Sequence, residues 1–192
     1  MSVKTNLLKS IGNYFHVYNR GVHRNAIFIE ERNYDYFLQR VLKYKNDNEV
    51  QIIAYCLMPN HFHFILYQVA ENGISHFIKS VCDGYAKAIN KMYEKSGHLF
   101  EGKYKLKHID DEQYLLHLSR YIHLNPVEAN LATKPEDWKF SSYGEYIGRT
   151  HSNIVTPSIV LNHFKNVNDY ENFVQEYKSN NSETIDKYLF DE

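Results

Sequence analysis

Cysteine is scarce in this sequence. Cys56 and Cys82 are the only two among 192 residues, and they are not arranged as a C-x-x-C pair. This rarity argues against a disulfide framework and against a cysteine-ligated zinc site. We therefore predict two free thiols in a reducing compartment.

Long apolar runs are also missing. No segment approaches the ~20 consecutive apolar residues that a membrane span requires, and the N-terminal stretch MSVKTNLLKSIGNY lacks the apolar core of a signal peptide. The expectation is a soluble, cytoplasmic protein with no membrane partner.

A strong net charge is the third absence. The formal net charge is −1, which gives no overall support for binding nucleic acid. The charges are nevertheless uneven, since residues 79–107 hold seven Lys against three acids and residues 162–192 hold seven acids against three Lys. This distribution fits either an anionic ligand on one face or ordinary solvated helix faces.

Aromatic residues, by contrast, are abundant. The 17 Tyr and 11 Phe can fill a core or stack on bases, and a hydrophobic content of 43% supports one domain with a substantial core. Periodicity predicts the order β-α-β-β-α-β-α, which indicates an α+β fold with a ferredoxin-like antiparallel sheet and helices covering one face. The predicted strands are residues 14–19, 50–57, 61–69 and 104–109, and the predicted helices are residues 30–46, 74–93 and 110–124.

The pattern changes after residue 146. Residues 147–157 are polar and loop-like, residues 158–164 and 169–177 predict two short helices, and the last dozen residues predict a frayed acidic tail. We therefore divide the chain into a main domain, residues 1–146, and a C-terminal extension, residues 147–192.

Residues 58–64, MPNHFHF, place two histidines in one predicted strand. Side chains alternate along a strand, so His61 and His63 share one side while Phe62 and Phe64 take the other. Two imidazoles on a rigid strand are a suitable platform for metal ligands. With 11 His in the chain, about 0.6 His-x-His pairs are expected by chance, so two solvated imidazoles on a half-exposed strand are the alternative.

Residues 120–129, RYIHLNPVEA, place Tyr121 and Asn125 one helical turn apart on a common face. Both flank the apolar stripe of the helix, which we expect to stop at Asn125-Pro126. Two imidazole nitrogens, an amide oxygen and a phenol would suit metal-assisted attack on a phosphodiester. The alternative for Tyr121 is an aromatic at the edge of the core with its hydroxyl in water.

Three further motifs follow the same order along the chain. They are HVYNRG at residues 16–21, GHLFEGKYK at residues 97–105 and EDWKFSSYGEY at residues 136–146. Together with the two motifs above, they resemble the single-tyrosine transposases of the His-hydrophobic-His (HUH) superfamily, and in particular the REP-associated tyrosine transposase branch. The resemblance covers about residues 14–146, and five ordered motifs are more specific than any one of them.

This resemblance implies a ferredoxin-like nuclease domain and assigns roles to the motif residues. His61 and His63, with Asn125 as third ligand, would bind Mg²⁺ or Mn²⁺. Tyr121 would be the nucleophile, nicking and rejoining single-stranded DNA through a 5′-phosphotyrosine. The DNA would carry a hairpin, and the enzyme would work as a monomer or a homodimer.

Binding single-stranded DNA requires stacking surfaces and phosphate contacts. The candidates lie in three places: in the first strand and just after it, in or beside the fourth strand, and directly before the predicted nucleophile. The alternative for each is an ordinary surface charge or aromatic. The candidates are Tyr18, Arg20, His23, Arg24, Lys103, Lys105, Lys107 and Arg120.

Two other functions are compatible with parts of this pattern. One is a non-catalytic DNA-binding regulator that keeps the transposase fold. The other is a metal phosphohydrolase acting on nucleotides, although no Gly-rich phosphate-binding loop supports it. The predicted roles of Trp138 and Tyr143 are structural, since both are expected to pack the closing segment onto the core.

Overall fold

A four-stranded antiparallel sheet organises the structure. The computed structural model describes residues 9–176, and the spatial order of the strands is β2-β3-β1-β4. With one helix after β1 and one after β3, this is the predicted ferredoxin-like arrangement, and the fold class is confirmed. The elements are β1 (Tyr14–Arg20), α1 (Glu31–Asp47), β2 (Val50–Met58), β3 (His61–Gln68), α2 (Gly73–Met92), β4 (Lys105–Ile109) and α3 (Glu112–Glu128).

Shorter helices follow α3 and complete the described part of the chain. The two helices predicted in the extension correspond to the last two of them, and the predicted acidic tail lies outside the described residues. None of the helices within residues 9–176 has the length and apolar character that crossing a bilayer requires. These elements are a 3₁₀ turn (Pro135–Asp137), α4 (Tyr143–Tyr146), α5 (Ser158–Leu161) and α6 (Val167–Gln175).

Helices α1 and α2 cover one face of the sheet. Phe64 of β3 is fully buried there against Phe37 of α1 and Phe77 of α2. Burying each such ring stabilises the fold by about 1.5–3 kcal/mol. Arg40 joins the two helices, because its Nε donates to the carbonyl of Val81 at 3.0 Å.

Helix α3 covers the opposite face, so the prediction of helices over one face describes α1 and α2 but omits α3. Leu118 and Ile122 are fully buried on this side, in a second apolar core that includes Ala54 and Ile65 of the sheet. These sheet residues alternate with those that face α1 and α2. Because both sets are apolar, each face of the sheet requires a covering layer.

The end of α3 differs from the prediction of a stop at Asn125-Pro126, which is wrong. The helix continues to Glu128 with Pro126 inside it. Proline has no N–H, so the helical bond from residue 126 to the carbonyl of Ile122 is missing, but the residues beyond Pro126 still bond back to this turn. The carbonyl of Asn125 accepts from Ala129 N at 3.0 Å, and that of Pro126 accepts from Leu131 N at 2.8 Å. Asn125 therefore lies within the helix, and its direction is fixed by helical backbone.

The segment after α3 returns to the sheet and packs as predicted. The indole Nε1 of Trp138 donates to the carbonyl of Leu57 at 3.0 Å, and Tyr143 is only 1% exposed. From the extension, Val160 and Tyr170 are buried in the same core as α3. The two helices of the extension are thus packed against the helix that carries Tyr121.

Candidate active site

The pairing of β3, β1 and β4 places a row of polar side chains on the face of the sheet that α3 covers. Residues opposite each other in an antiparallel pair point to the same side of the sheet. Tyr18 of β1 lies opposite His63 of β3 and opposite Lys105 of β4, and Arg20 lies opposite His61. The face that α3 covers therefore carries both predicted histidines with three of the predicted DNA-binding residues.

His61 lies at the start of β3 and is half-buried. Its Nδ1 is 2.6 Å from the side-chain oxygen of Asn60, and its Nε2 is 3.3 Å from that of Asn125. Burial lowers the pKa of His61, as does the charge of Arg20, although the hydrogen bond with Asn125 opposes them. The neutral imidazole is the form that can bind a metal.

His63 is fully buried one row further into the sheet. Its Nδ1 is 3.0 Å from Nε2 of His16, and the two rings stack with centroids 5.2 Å apart. Burial and the neighbouring imidazoles of His61 and His16 hold the pKa of His63 well below its usual value. No role for His16 is predicted from the sequence, although His16 lies in the HVYNRG motif two positions before Tyr18. This spacing puts both side chains on one face of the sheet.

Tyr121 reaches the histidines from α3. Its ring meets that of His63 edge to face, with centroids 5.7 Å apart and planes at 85°. Asn125, one turn later, is 8% exposed and contacts His61. The structure therefore brings His61, His63, Tyr121 and Asn125 together within a single chain.

The geometry of this cluster fits a divalent cation. Neighbouring ligands of an octahedral cation, each at about 2.1 Å, are about 3 Å apart, and the 3.3 Å between His61 Nε2 and Asn125 Oδ1 is close to this spacing. The Nδ1 atoms of His61 and His63 face Asn60 and His16, which leaves Nε2 as the ligating atom in each ring. Within residues 9–176 no three His, Cys, Asp or Glu side chains are grouped to hold a metal. The amide oxygen of Asn125 is the further donor that lies within 3.3 Å of His61 Nε2.

A groove of about 240 Å³ opens beside His61. It contains four of the predicted DNA-binding residues, together with an acidic side chain that the prediction did not include. The lining residues are Tyr18, Asn19, Arg20, Arg24, Asn60, His61, Glu101 and Lys105.

Glu101 pairs with Arg20 at the edge of this groove. The guanidinium contacts the carboxylate through Nε at 2.7 Å and Nη2 at 3.0 Å. These hydrogen bonds from Arg20 hold the pKa of Glu101 below its usual value, so the carboxylate is charged at neutral pH. The groove is thus less positive than its arginines and lysine alone would make it.

A tight turn after β1 forms one wall of the groove. Gly21 donates its N–H to the carbonyl of Asn60 at 2.8 Å, and a Cβ at this position would lie 2.0 Å from the carbonyl oxygen of Asn25. Only glycine therefore fits. His23 and Arg24 follow in the left-handed region, with φ of 54° and 59°, and both side chains are exposed.

The other four predicted DNA-binding residues, Lys103, Lys107, His23 and Arg120, are not among those that line the groove. Lys103 is in the loop before β4, which begins at Lys105 and not at Tyr104. The ammonium of Lys107 lies 5.5 Å from the ring centre of Tyr114. His23 is exposed on the turn after β1.

Arg120 is directed toward the C-terminal extension. Its guanidinium carbon lies 4.3 Å from the ring centre of Phe173, and Nη1 donates to the carbonyl of Phe173 at 3.2 Å. Nη2 is 2.8 Å from Nδ1 of His117. In this conformation Arg120 links α3 to α6, a contact that sequence periodicity could not reveal.

Comparison with known proteins is consistent with the motifs. A family model described as "Transposase IS200 like" matches residues 10–125. No curated protein matches the chain by sequence. Among solved structures, a REP-associated tyrosine transposase bound to a REP hairpin is similar in fold, with a TM-score of 0.61 and 20% identity over 76% of this chain and 84% of that chain. A proposed transposase from Deinococcus radiodurans has a TM-score of 0.44 and 16% identity over 59% of this chain and 91% of that chain.

Proposed function

Because the chain belongs to the IS200-like transposase family, we propose that it nicks and rejoins single-stranded DNA with Tyr121 as nucleophile. Family membership supports a DNA-processing role. The assignment of Tyr121 as nucleophile rests on the contact between α3 and β3. There Tyr121 packs on His63, and Asn125 contacts His61. A tyrosine that served only to fill the edge of the core would not require two histidines and an asparagine around it.

The reaction follows from these groups. The phenolic oxygen of Tyr121 attacks the scissile phosphorus, and the bond to the 3′-oxygen breaks, giving a 5′-phosphotyrosine and a free 3′-hydroxyl. When bound by His61, His63 and Asn125, a Mg²⁺ or Mn²⁺ ion supplies positive charge that offsets the charge of the phosphate and the departing oxygen. The phosphodiester is exchanged for a phosphotyrosyl ester, so a 3′-hydroxyl can reverse the step without ATP.

The DNA strand would enter through the groove beside His61. Tyr18 offers a ring at its floor, and Arg24 and Lys105 offer charges for the phosphates. The REP-associated tyrosine transposase of similar fold is bound to a REP hairpin, and we propose a hairpin-flanked single strand as the substrate here. Since one chain holds all four residues of the cluster, the chemistry would be possible in a monomer, and a homodimer is not required.

The experiment is a covalent-adduct assay with labelled single-stranded DNA and Mn²⁺. Wild-type protein is expected to give a labelled band that survives denaturing electrophoresis. Tyr121→Phe should lose the band entirely and still bind DNA, because only the nucleophilic oxygen is removed. Tyr36→Phe, on the opposite face of the sheet, is the matched control and should keep the band.

Two outcomes would reject the proposal. An adduct that persists in Tyr121→Phe would show that another residue attacks the phosphate. DNA binding by wild-type protein without cleavage or adduct would favour a regulator that keeps the transposase fold.

A further inference from the structure

We propose that His16 is a positioning residue. Its Nε2 accepts a hydrogen bond from His63 Nδ1 and so directs the Nε2 of His63 toward the cation. This inference rests on the proposed function, because it concerns the same cation site. His16 does not itself face the groove, and it belongs to β1 while both proposed histidine ligands belong to β3.

The two rings are fixed relative to each other. His16 and His63 are 1% and 0% exposed, and the distance between His16 Nε2 and His63 Nδ1 is 3.0 Å. Tyr18 stacks on His16 with centroids 4.7 Å apart and lies over His63 at 5.7 Å. The ring of Tyr121 closes the other side of His63. Neither imidazole can rotate without moving an aromatic neighbour.

Only one proton can lie between two neutral imidazoles, so there are two arrangements. If His16 donates, the remaining proton of His63 lies on Nε2, which then cannot bind a metal. If His63 donates, its Nε2 keeps the lone pair and is a ligand. The cation-binding state is therefore the one in which His16 accepts.

Within the described residues, the His16 side chain has no hydrogen-bond partner other than His63. Its Nδ1 is buried and has no hydrogen-bond partner among residues 9–176. In the cation-binding arrangement this nitrogen carries the proton of His16. The only hydrogen bond that the His16 side chain makes in this part of the structure is thus the one to His63.

A pair of polar substitutions tests the inference. Gln in place of histidine puts an amide oxygen near the position of Nε2, whereas Asn is shorter and cannot reach His63. Mn²⁺ affinity, measured by electron paramagnetic resonance of the free ion, should stay within about fivefold of wild type in His16→Gln and should fall about tenfold to a hundredfold in His16→Asn. His108→Gln, whose Nε2 is 3.0 Å from Asn13 Oδ1 elsewhere on the sheet, is the matched control and should leave the affinity unchanged.

A second measurement observes the proton directly. Nitrogen-15 spectra of the imidazoles in Mg²⁺-loaded protein should show His63 protonated at Nδ1 and His16 protonated at Nδ1. A loaded protein in which His63 lacks that proton would overturn the inference, and so would equal Mn²⁺ affinities in His16→Gln and His16→Asn.

The two levels of the proposal fail in different ways. If wild type and His61→Ala have the same weak Mn²⁺ affinity, the proposed cation site is wrong, and the role of His16 falls with it. If His61→Ala loses binding and His16→Asn keeps it, only the role of His16 is wrong.

Discussion

His61 and His63 leave the same strand on the same side, and yet their surroundings differ. His61 is half-buried at the strand end, where it lines the groove, whereas His63 is enclosed by three aromatic rings. Water and phosphate oxygens can reach the proposed cation site from the His61 side, where the groove opens. His63, which is enclosed, instead packs edge to face against the ring of Tyr121 and holds the phenol in place.

The carboxylate of Glu101 sets the charge of the groove, and we predict that Glu101→Gln binds single-stranded DNA more tightly. Removing one negative charge a few ångströms from a phosphate in water is expected to raise the affinity about fivefold. The slope of log affinity against log salt should also steepen by about 0.7, because the net charge of the groove rises by one. Fluorescence anisotropy at several salt concentrations measures both quantities.

The control for this prediction is Glu31→Gln, which removes the ion pair with Lys139 away from the groove. It should leave DNA affinity unchanged. The stability of either variant should match that of wild type closely, because exposed ion pairs contribute little. A weaker affinity in Glu101→Gln would instead mean that the carboxylate holds Arg20 in its binding position.

At the residue scale, the sequence predicts which side chains lie together when they belong to the same strand or helix. Period two places His61 and His63 together, and the helical turn places Tyr121 and Asn125 together. The contacts of His16, Glu101 and Arg120 depend on how separate elements are registered and packed. No local pattern contains that information.

Among the elements, α3 shows most clearly what could be predicted. Its apolar stripe follows from the sequence, which also offers Asp110 or Asp111 as the N-cap. The structure uses Asp111, whose carboxylate accepts from Tyr114 N at 3.1 Å. The C-terminal end of α3 does not follow from the sequence. The rule that a helix stops before a proline predicts an end at Asn125-Pro126, whereas the helix includes Pro126 in its last turn. Likewise, α5 and α6 were predicted as helices, but their place on α3 follows from tertiary packing of residues such as Tyr170.

The junction of α3 with α6 is held by a buried hydroxyl, and we predict that Tyr170→Phe destabilises the fold. The Tyr170 hydroxyl lies 2.7 Å from Nδ1 of His123 and 3.2 Å from Oγ of Ser119. Its removal leaves a buried imidazole nitrogen without a partner, which costs about 1–3 kcal/mol. The free energy of unfolding, from urea titration followed by circular dichroism, should fall by that amount.

A half-buried tyrosine on α1, Tyr44, provides the comparison. Tyr44→Phe should change the free energy of unfolding by less than about 0.5 kcal/mol. If the two variants are equally stable, the hydroxyl of Tyr170 does not hold α6 on α3.

At the scale of the whole molecule, the two thiols report on global unfolding. Cys56 and Cys82 are both buried free cysteines, as predicted, and burial raises the pKa of each thiol. The thiolate is the reactive form, so native protein should not react with a thiol reagent at pH 8 on the timescale on which a small-molecule thiol is consumed. Both thiols should react at once in denaturant, and a fast-reacting thiol in native protein would contradict this.

The sheet separates the apolar interior into two cores, one beneath α1 and α2 and one beneath α3. The imidazoles of His61 and His63 and the phenol of Tyr121 lie on the side of the second core, and the first core packs on the opposite face of the sheet. Substitutions in the first core are therefore expected to accumulate with little effect on the spacing of the groups proposed to react. Substitutions in the second core alter that spacing directly, so the two faces of the sheet are expected to diverge at different rates.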